Sequence, residues 1–234
     1  MNKTYDFPAG EVLLVDKPPE WTSFDVVNKI RHMLRYHLDI RKIKVGHAGT
    51  LDPLATGLLL VCVGKATKRI HEYTGLDKEY TGTMFLGATT PSCDLETEVD
   101  AEYETSHITE EMIKNAVRAF TGTIKQVPPA FSAVKVNGQR AYLKAREKQE
   151  IEIPEREVRI HAFEILRAEL PEIDFRVSCT KGTYIRSLAR DFGKSLQSGA
   201  YLQSLRRTKI GEYHIDDAVS IMQLEAFISG LIDK

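Results

Sequence analysis

Lys44-Val45-Gly46-His47-Ala48-Gly49-Thr50-Leu51-Asp52-Pro53-Leu54-Ala55-Thr56-Gly57 runs directly into an unbroken apolar stretch at residues 58–63. Closed by Gly64, that stretch reads as a strand buried on both faces. Three glycines and a proline shape the segment before it, and Asp52 is the only acidic side chain there. The residues alone support two readings. Asp-Pro is suitable chemistry for a turn or a helix N-cap. A carboxylate in a loop fixed by a rigid scaffold is also where reacting groups tend to sit.

Outward from this loop, residues 11–15 read as a strand ending in Asp16-Lys17-Pro18-Pro19. Thr22 or Ser23 then caps a helix over residues 24–34, where Val26, Val27, Ile30 and Leu34 recur at helical spacing. Residues 80–86 alternate like a strand, and Gly87 marks its end. Residues 108–120 form an amphipathic helix. Residues 121–148 read as a long loop with Pro128, Pro129, Asn137-Gly138 and several cations; irregular segments of that length are functional or mobile. Paired strands are expected at 158–170 and 173–179, a helix at 183–196, a short strand at 204–210 and a terminal helix at 218–232. No repeat, low-complexity linker or domain boundary is visible. Strands and helices mix without a βαβ rhythm, which predicts an α+β fold. Its sheet would be mixed and largely antiparallel, flanked by helices, in a single domain over residues 1–234.

Composition narrows the function classes. A chain of 234 residues, 42% hydrophobic and 28% charged, is a soluble globular protein that folds without disulfides or metal. Cys62, Cys93 and Cys179 are far apart and form no CxxC pair, so neither a disulfide framework nor a zinc site is expected. The first eleven residues lack the apolar core of a signal peptide, and the longest apolar run is far too short for a bilayer. A cytoplasmic protein is expected.

The net charge of −1 hides an uneven distribution. Lys29, Arg31, Arg35, Arg41, Lys42 and Lys44 gather with three histidines against a single acid, Asp39. Cations recur at Lys65, Lys68 and Arg69, at Lys135, Arg140, Lys144 and Arg146, and at Arg206, Arg207 and Lys209. Eight carboxylates and no cation lie between Asp94 and Glu111. Two readings fit: a basic face that tracks phosphates opposite an acidic back in solvent, or a set of ordinary solvated faces.

Three familiar chemistries fail. Gly57…Gly64-Lys65-Ala66-Thr67 has the wrong spacing for a phosphate-binding P-loop, and Ala66 stands where the magnesium-binding hydroxyl is needed. No histidine pair at helical spacing gathers a third metal ligand. Asp52 has no second acid in its segment for paired-carboxylate hydrolysis. What remains is a lone carboxylate among cations and aromatics.

At this point the residues resemble a known family. The Asp52 loop is similar to the active-site loop of the bacterial tRNA pseudouridine-55 synthases, the TruB type. Further blocks stand in the family's order. Leu14-Val15-Asp16-Lys17-Pro18, with Thr22-Ser23, comes first, then Lys78-Glu79-Tyr80. Gln126-Val127-Pro128-Pro129-Ala130-Phe131-Ser132-Ala133 follows, then Lys181-Gly182-Thr183-Tyr184-Ile185-Arg186-Ser187-Leu188-Ala189. Leu202…Leu205-Arg206-Arg207-Thr208…Gly211 is the last. Together they cover residues 11–217. Glu20 and Thr97 stand where the family commonly has Gly; the turn at Glu20 is therefore expected to need no left-handed residue. Many relatives add a small C-terminal RNA-binding module, and none is expected here.

The resemblance implies a pseudouridine synthase fold with an RNA-clamping loop at about residues 124–152. It implies an isomerase, acting without cofactor or metal, that converts the T-arm uridine 55 of tRNA into pseudouridine. Asp52 is then the catalytic carboxylate, ionised beside the sugar–base junction. Attack at C1′, attack at C6 and removal of a sugar proton all fit. Arg186 corresponds to the arginine that pairs with that carboxylate, and Tyr80 to the tyrosine that stacks on the flipped base. Tyr184 and Leu205 correspond to residues lining the uracil pocket. His47 corresponds to a histidine filling the space the base leaves. Lys17 would support the site or meet a phosphate, and Arg206 and Arg207 would contact phosphates. The expected partner is the tRNA T-arm stem-loop, with no membrane and no small-molecule cofactor, and the expected state is a monomer. The rival class is an RNA-binding protein or folding chaperone, whose action would survive Asp52→Ala.

Overall fold

The computed structural model describes residues 5–132, 134–136, 138–147 and 152–231. The chain forms two compact units, one made of Met1–Lys78 with Arg206–Lys234 and the other of Glu79–Leu205. Among the described residues no helix is long and apolar enough to cross a membrane.

The first unit opens with strand β1 (Glu11–Lys17) and helix α1 (Ser23–Leu38). Thr22 is the N-cap, and with Asp25 it makes a reciprocal capping box. The helix stops at Asp39, which adopts a left-handed φ of 50°. Strand β2 (Val45–His47) and strand β3 (Thr56–Val63) follow, joined by the Asp52 loop. β3 pairs antiparallel with both β1 and β2. Its continuous apolar run has a simple cause. Leu59, Val61 and Val63 point into a core with α1, while Leu58, Leu60 and Cys62 point into a second core with Tyr73 and Ile210. A short 3₁₀ turn leads into α2 (Ile70–Gly75).

The second unit begins along β4 (Lys78–Leu86). A small ribbon, β5 (Ala88–Thr89) with β6 (Ala101–Glu102), precedes helix α3 (Glu110–Ala119) and strand β7 (Gly122–Gln126). The segment expected as one long loop is not structureless. It holds a hairpin, β8 (Lys135–Val136) with β9 (Gln139–Arg140), and helix α4 (Ala141–Arg146). Residues 133, 137 and 148–151 of the expected clamp lie outside the described residues. Strands β10 (Arg156–Glu169) and β11 (Glu172–Cys179) pair antiparallel as expected. Helix α5 (Ile185–Ser195) carries Phe192 onto Phe163 at 5.5 Å between ring centroids. Strand β12 (Ala200–Ile210) is longer than its expected span. Within this unit the strand order is β12-β4-β11-β10-β7.

From Arg206 the chain belongs again to the first unit. There Arg206 and Arg207 of β12 pair parallel with Thr56 and Gly57 of β3. Strand β13 (Tyr213–His214) folds back on β12, and β14 (Val219–Ser220) pairs parallel with β1. Helix α6 (Ile221–Ser229) closes the described chain. Two parallel pairings among antiparallel ones make the sheet mixed, and the α+β class holds.

Candidate active site

The Asp52 loop has no regular structure of its own, yet its backbone oxygens are claimed by side chains from three distant places. Ser23 is buried, and because Thr22 already caps α1, its hydroxyl is spare. It accepts from the Leu51 amide at 2.9 Å and donates to the Leu51 carbonyl at 3.2 Å. Lys17 is fully buried at the end of β1. Its ammonium donates to the Pro53 carbonyl at 3.1 Å and to the carbonyls of Pro18 and Trp21 at 2.8 and 2.6 Å. Arg207, 1% exposed, donates from Nε to the Leu58 carbonyl at 2.7 Å and from Nη2 to the Gly49 carbonyl at 3.1 Å. A longer contact from Nη1 reaches the Thr50 carbonyl at 3.5 Å. The Ala55 amide donates to the Asp52 carbonyl at 3.1 Å, closing a turn at Asp52-Pro53. Asp52 therefore sits, half-buried, on a backbone tied on both sides. The turn reading and the reacting-group reading are compatible here: the turn is what presents the carboxylate.

Gly57 allows the loop to meet β12. A Cβ there would stand 2.4 Å from the Arg207 carbonyl oxygen and 2.7 Å from its nitrogen, at a φ of 102°.

Electrostatics follow from this burial. Loss of solvent lowers the Lys17 pKa to about 8; the Asp52 charge opposes that shift and Arg207 reinforces it. Burial and then Arg207 also lower the His47 pKa, with a hydrogen bond to the Gly49 backbone opposing. The His47 ring is thus neutral at pH 7, and its Nδ1 is buried without a hydrogen-bond partner among the described residues.

These contacts revise several expectations. Arg207 is no phosphate contact, because it is buried against the loop. Arg206 is half-exposed but forks onto Asp16, with Nη2 2.7 Å from the carboxylate. Lys17 supports the site and faces no solvent. Glu20 does take a left-handed φ of 64°, so its turn demands that conformation although no glycine supplies it.

In the second unit, Tyr184 precedes α5 and is gripped through its backbone by Gln126. The Gln126 amide donates to the Tyr184 carbonyl at 3.0 Å and accepts from the Tyr184 amide at 2.8 Å. The Arg156 guanidinium lies 5.1 Å from the centre of the Tyr184 ring. Arg186 is 4% exposed and donates to the carbonyls of Ser92 at 3.1 Å and Phe131 at 2.9 Å. Its Nη1 stands 3.5 Å from Asp94, which is also buried, so Asp94 is no part of an acidic back in solvent. Thr97 accepts from the Ser92 amide at 3.1 Å, tying the same loop. Tyr80 is buried on β4, and Leu205 is half-buried on β12. Asp52 and His47 thus belong to the first unit, and Tyr80, Tyr184, Arg186 and Leu205 to the second. Among the described residues no group of three or more His, Cys, Asp or Glu could hold a metal ion.

Sequence reasoning missed the roles of Ser23, Gln126 and Arg207. Only Ser23 left a local signal, a second hydroxyl beside a cap already supplied by Thr22.

The fold is that of the pseudouridine synthases. It matches a chain of a Cbf5-Nop10-Gar1 complex with a TM-score of 0.70 at 30% identity, covering 94% of this chain and 55% of that one. A chain of an H/ACA RNP bound to a substrate RNA containing 2′-deoxyuridine matches with a TM-score of 0.68 at 28% identity, covering 94% of this chain and 54% of that one. This chain spans about half the length of those two. The description "TruB family pseudouridylate synthase (N terminal domain)" fits residues 33–185, and "tRNA pseudouridylate synthase B C-terminal domain" fits residues 186–230. The chain belongs to the TruB family of pseudouridylate synthases, and it is an enzyme of the isomerase class. It is 54% identical over 229 residues to tRNA pseudouridine synthase B of Parabacteroides distasonis, covering 98% of this chain and 97% of the relative. Identity to tRNA pseudouridine synthase B of Flavobacterium johnsoniae is 56% over 221 residues, covering 94% of this chain and 96% of the relative.

Proposed function

We propose that this enzyme converts uridine 55 in the T-arm loop of tRNA into pseudouridine, with Asp52 as the catalytic carboxylate. It would act as a cytoplasmic monomer. The observation that carries the role of Asp52 is the triple anchorage of its loop by Lys17, Ser23 and Arg207. A reacting group must be held to a fraction of an ångström, and buried polar ties to the flanking backbone do that. The reaction breaks the bond between N1 and C1′ of the ribose, turns the uracil, and joins C5 to C1′. The C5 proton leaves and N1 gains a proton, so no redox or phosphoryl step is involved.

The target base must leave its stack, which costs on the order of a few kcal/mol. Stacking on an aromatic ring returns about 1–3 kcal/mol, and Tyr80 is the ring assigned to that contact. Tyr184 and Leu205 would flank the uracil, Arg186 would pair with the Asp52 carboxylate, and neutral His47 would fill the space the base vacates. The segment at about 124–152 would close over the RNA, its root fixed through Val127 and Phe131 to residues of α5.

The test uses a T-arm stem-loop tritiated at uridine C5. The wild type should release tritium. Asp52→Ala should release it at least about a thousandfold more slowly while keeping its RNA affinity. No release by the wild type from a stem-loop it binds would overturn the assignment of this uridine.

A further inference from the structure

Helix α1 turns outward a second chemistry that the Asp52 site does not use. Its inner stripe, Val26, Val27, Ile30, Met33 and Leu34, is buried. The opposite stripe carries Arg31, His32, Arg35 and Tyr36, all exposed. Tyr36 is 75% exposed, and its ring lies parallel to His32 at 5.9 Å with 14° between the planes. Just beyond the helix, Arg41, Lys42 and Lys44 are exposed as well. Only Asp39 supplies negative charge in the whole of residues 28–44, and it is taken by Arg41 at 2.8 Å. Arg35, Lys42 and Lys44 have no carboxylate partner among the described residues.

A face built only for solvation mixes both signs of charge and keeps large rings out of water. This one sets Arg31 and Arg35 beside two parallel exposed rings, with one carboxylate near them, Glu225 of α6, held by Lys29 at 2.8 Å; cations in excess beside exposed rings suit phosphates together with an unstacked base or a ribose. Ser23, in the first turn of the same helix, touches Leu51 beside Asp52. Arg35 lies about 18 Å further along the axis, at 1.5 Å per residue. That is too far for the nucleotide held at Asp52.

We propose that the Arg35–Tyr36 face of α1, with Lys42, is a second RNA-binding surface, one that grips the tRNA outside its T-arm stem-loop. The proposal rests on the tRNA reading of the active site. The double variant Arg35→Glu/Lys42→Glu and, separately, Tyr36→Ala are compared with the wild type. Binding is measured over a salt titration with a full-length tRNA transcript and with the isolated T-arm stem-loop, alongside tritium release from the stem-loop. The double variant should bind full-length tRNA about tenfold more weakly at about 0.1 M salt, with a salt slope smaller by about two. Tyr36→Ala should weaken the same binding several-fold with its slope unchanged. Stem-loop binding and turnover should not move. Unchanged affinity of the double variant for full-length tRNA overturns the proposal. So does an equal loss on both RNAs, which places the face on the stem-loop itself. Absence of tritium release by the wild type overturns the active-site reading instead and leaves the binding comparison readable.

Discussion

Two stretches of irregular backbone, residues 48–57 and 127–147, are held in opposite ways. In the first, the carbonyls of Gly49, Leu51 and Pro53 are taken by Arg207, Ser23 and Lys17, none of which is a neighbour in sequence. In the second, the root is tied to distant residues, Val127 to Ser187 and Arg190 and Phe131 to Arg186, and the far end by one exposed side-chain pair, Arg146 to Glu96 at 3.3 Å. Beyond the root, backbone bonds are local, such as Ala141 to Val134 at 2.7 Å and Tyr142 to Ser132 at 3.1 Å, and residues 138–140 are exposed. A loop tied along its length offers one geometry, which suits a reacting group. A segment tied at its root and self-paired at its tip suits contact with a large, variable surface.

The contrast breaks hardest at Gly57. Gly57→Ala drives a methyl group into the backbone of Arg207 and should cost at least about 3 kcal/mol, lowering Tm by roughly 6–12 °C. A thermal melt within about 2 °C of wild type would mean that the meeting of β3 and β12 is not tight.

Next is Arg207→Met, which keeps the bulk but leaves the Gly49 and Leu58 carbonyls without their donor. It should cost about 2–3 kcal/mol and lower kcat about 10- to 100-fold at unchanged RNA affinity. A loss confined to RNA affinity would return Arg207 to the role of a phosphate contact.

Lys17 sharpens the contrast through pH. Its folded pKa of about 8 lies below the ordinary lysine value, so above pH 8 the folded chain holds fewer protons than the unfolded one. Stability measured against Lys17→Met should therefore rise between about pH 8 and 10.5, by at most about 3 kcal/mol. Denaturation midpoints of the two proteins moving in parallel across that window would refute it. The smallest effect belongs to the other stretch. Arg140→Ala, exposed at the end of β9 where α4 begins, should change stability by less than about 0.5 kcal/mol, yet flatten the salt dependence of RNA binding by about one unit.

What the sequence disclosed and what it concealed divide along the same physical line. The strand expected at 58–63 and the helix expected at 24–34 were legible because an apolar run, local periodicity and a local cap determine them, and each extends beyond its expected span, to Thr56–Val63 and Ser23–Leu38. The turn that presents Asp52 was legible because its glycine- and proline-rich surroundings are local too. The means of holding that loop were not, because Arg207 lies 155 residues from Asp52. A cation in a strand looks the same in sequence whether it meets a phosphate or is buried against carbonyls. Glu20 shows the same limit at one residue: it takes a positive φ inside the turn whose Pro18 and Trp21 carbonyls Lys17 gathers, and no glycine announces it.

Anchoring through carbonyl oxygens has a consequence for how the chain tolerates change. Every residue offers a carbonyl, so Lys17, Ser23 and Arg207 hold the loop without regard to which side chains it bears. Substitutions at Thr50 and Leu54, exposed on that loop, should therefore leave its backbone ties in place. The side chains that hold the Asp52 loop stand at the end of β1, in the first turn of α1 and on β12, far in sequence from the loop they hold.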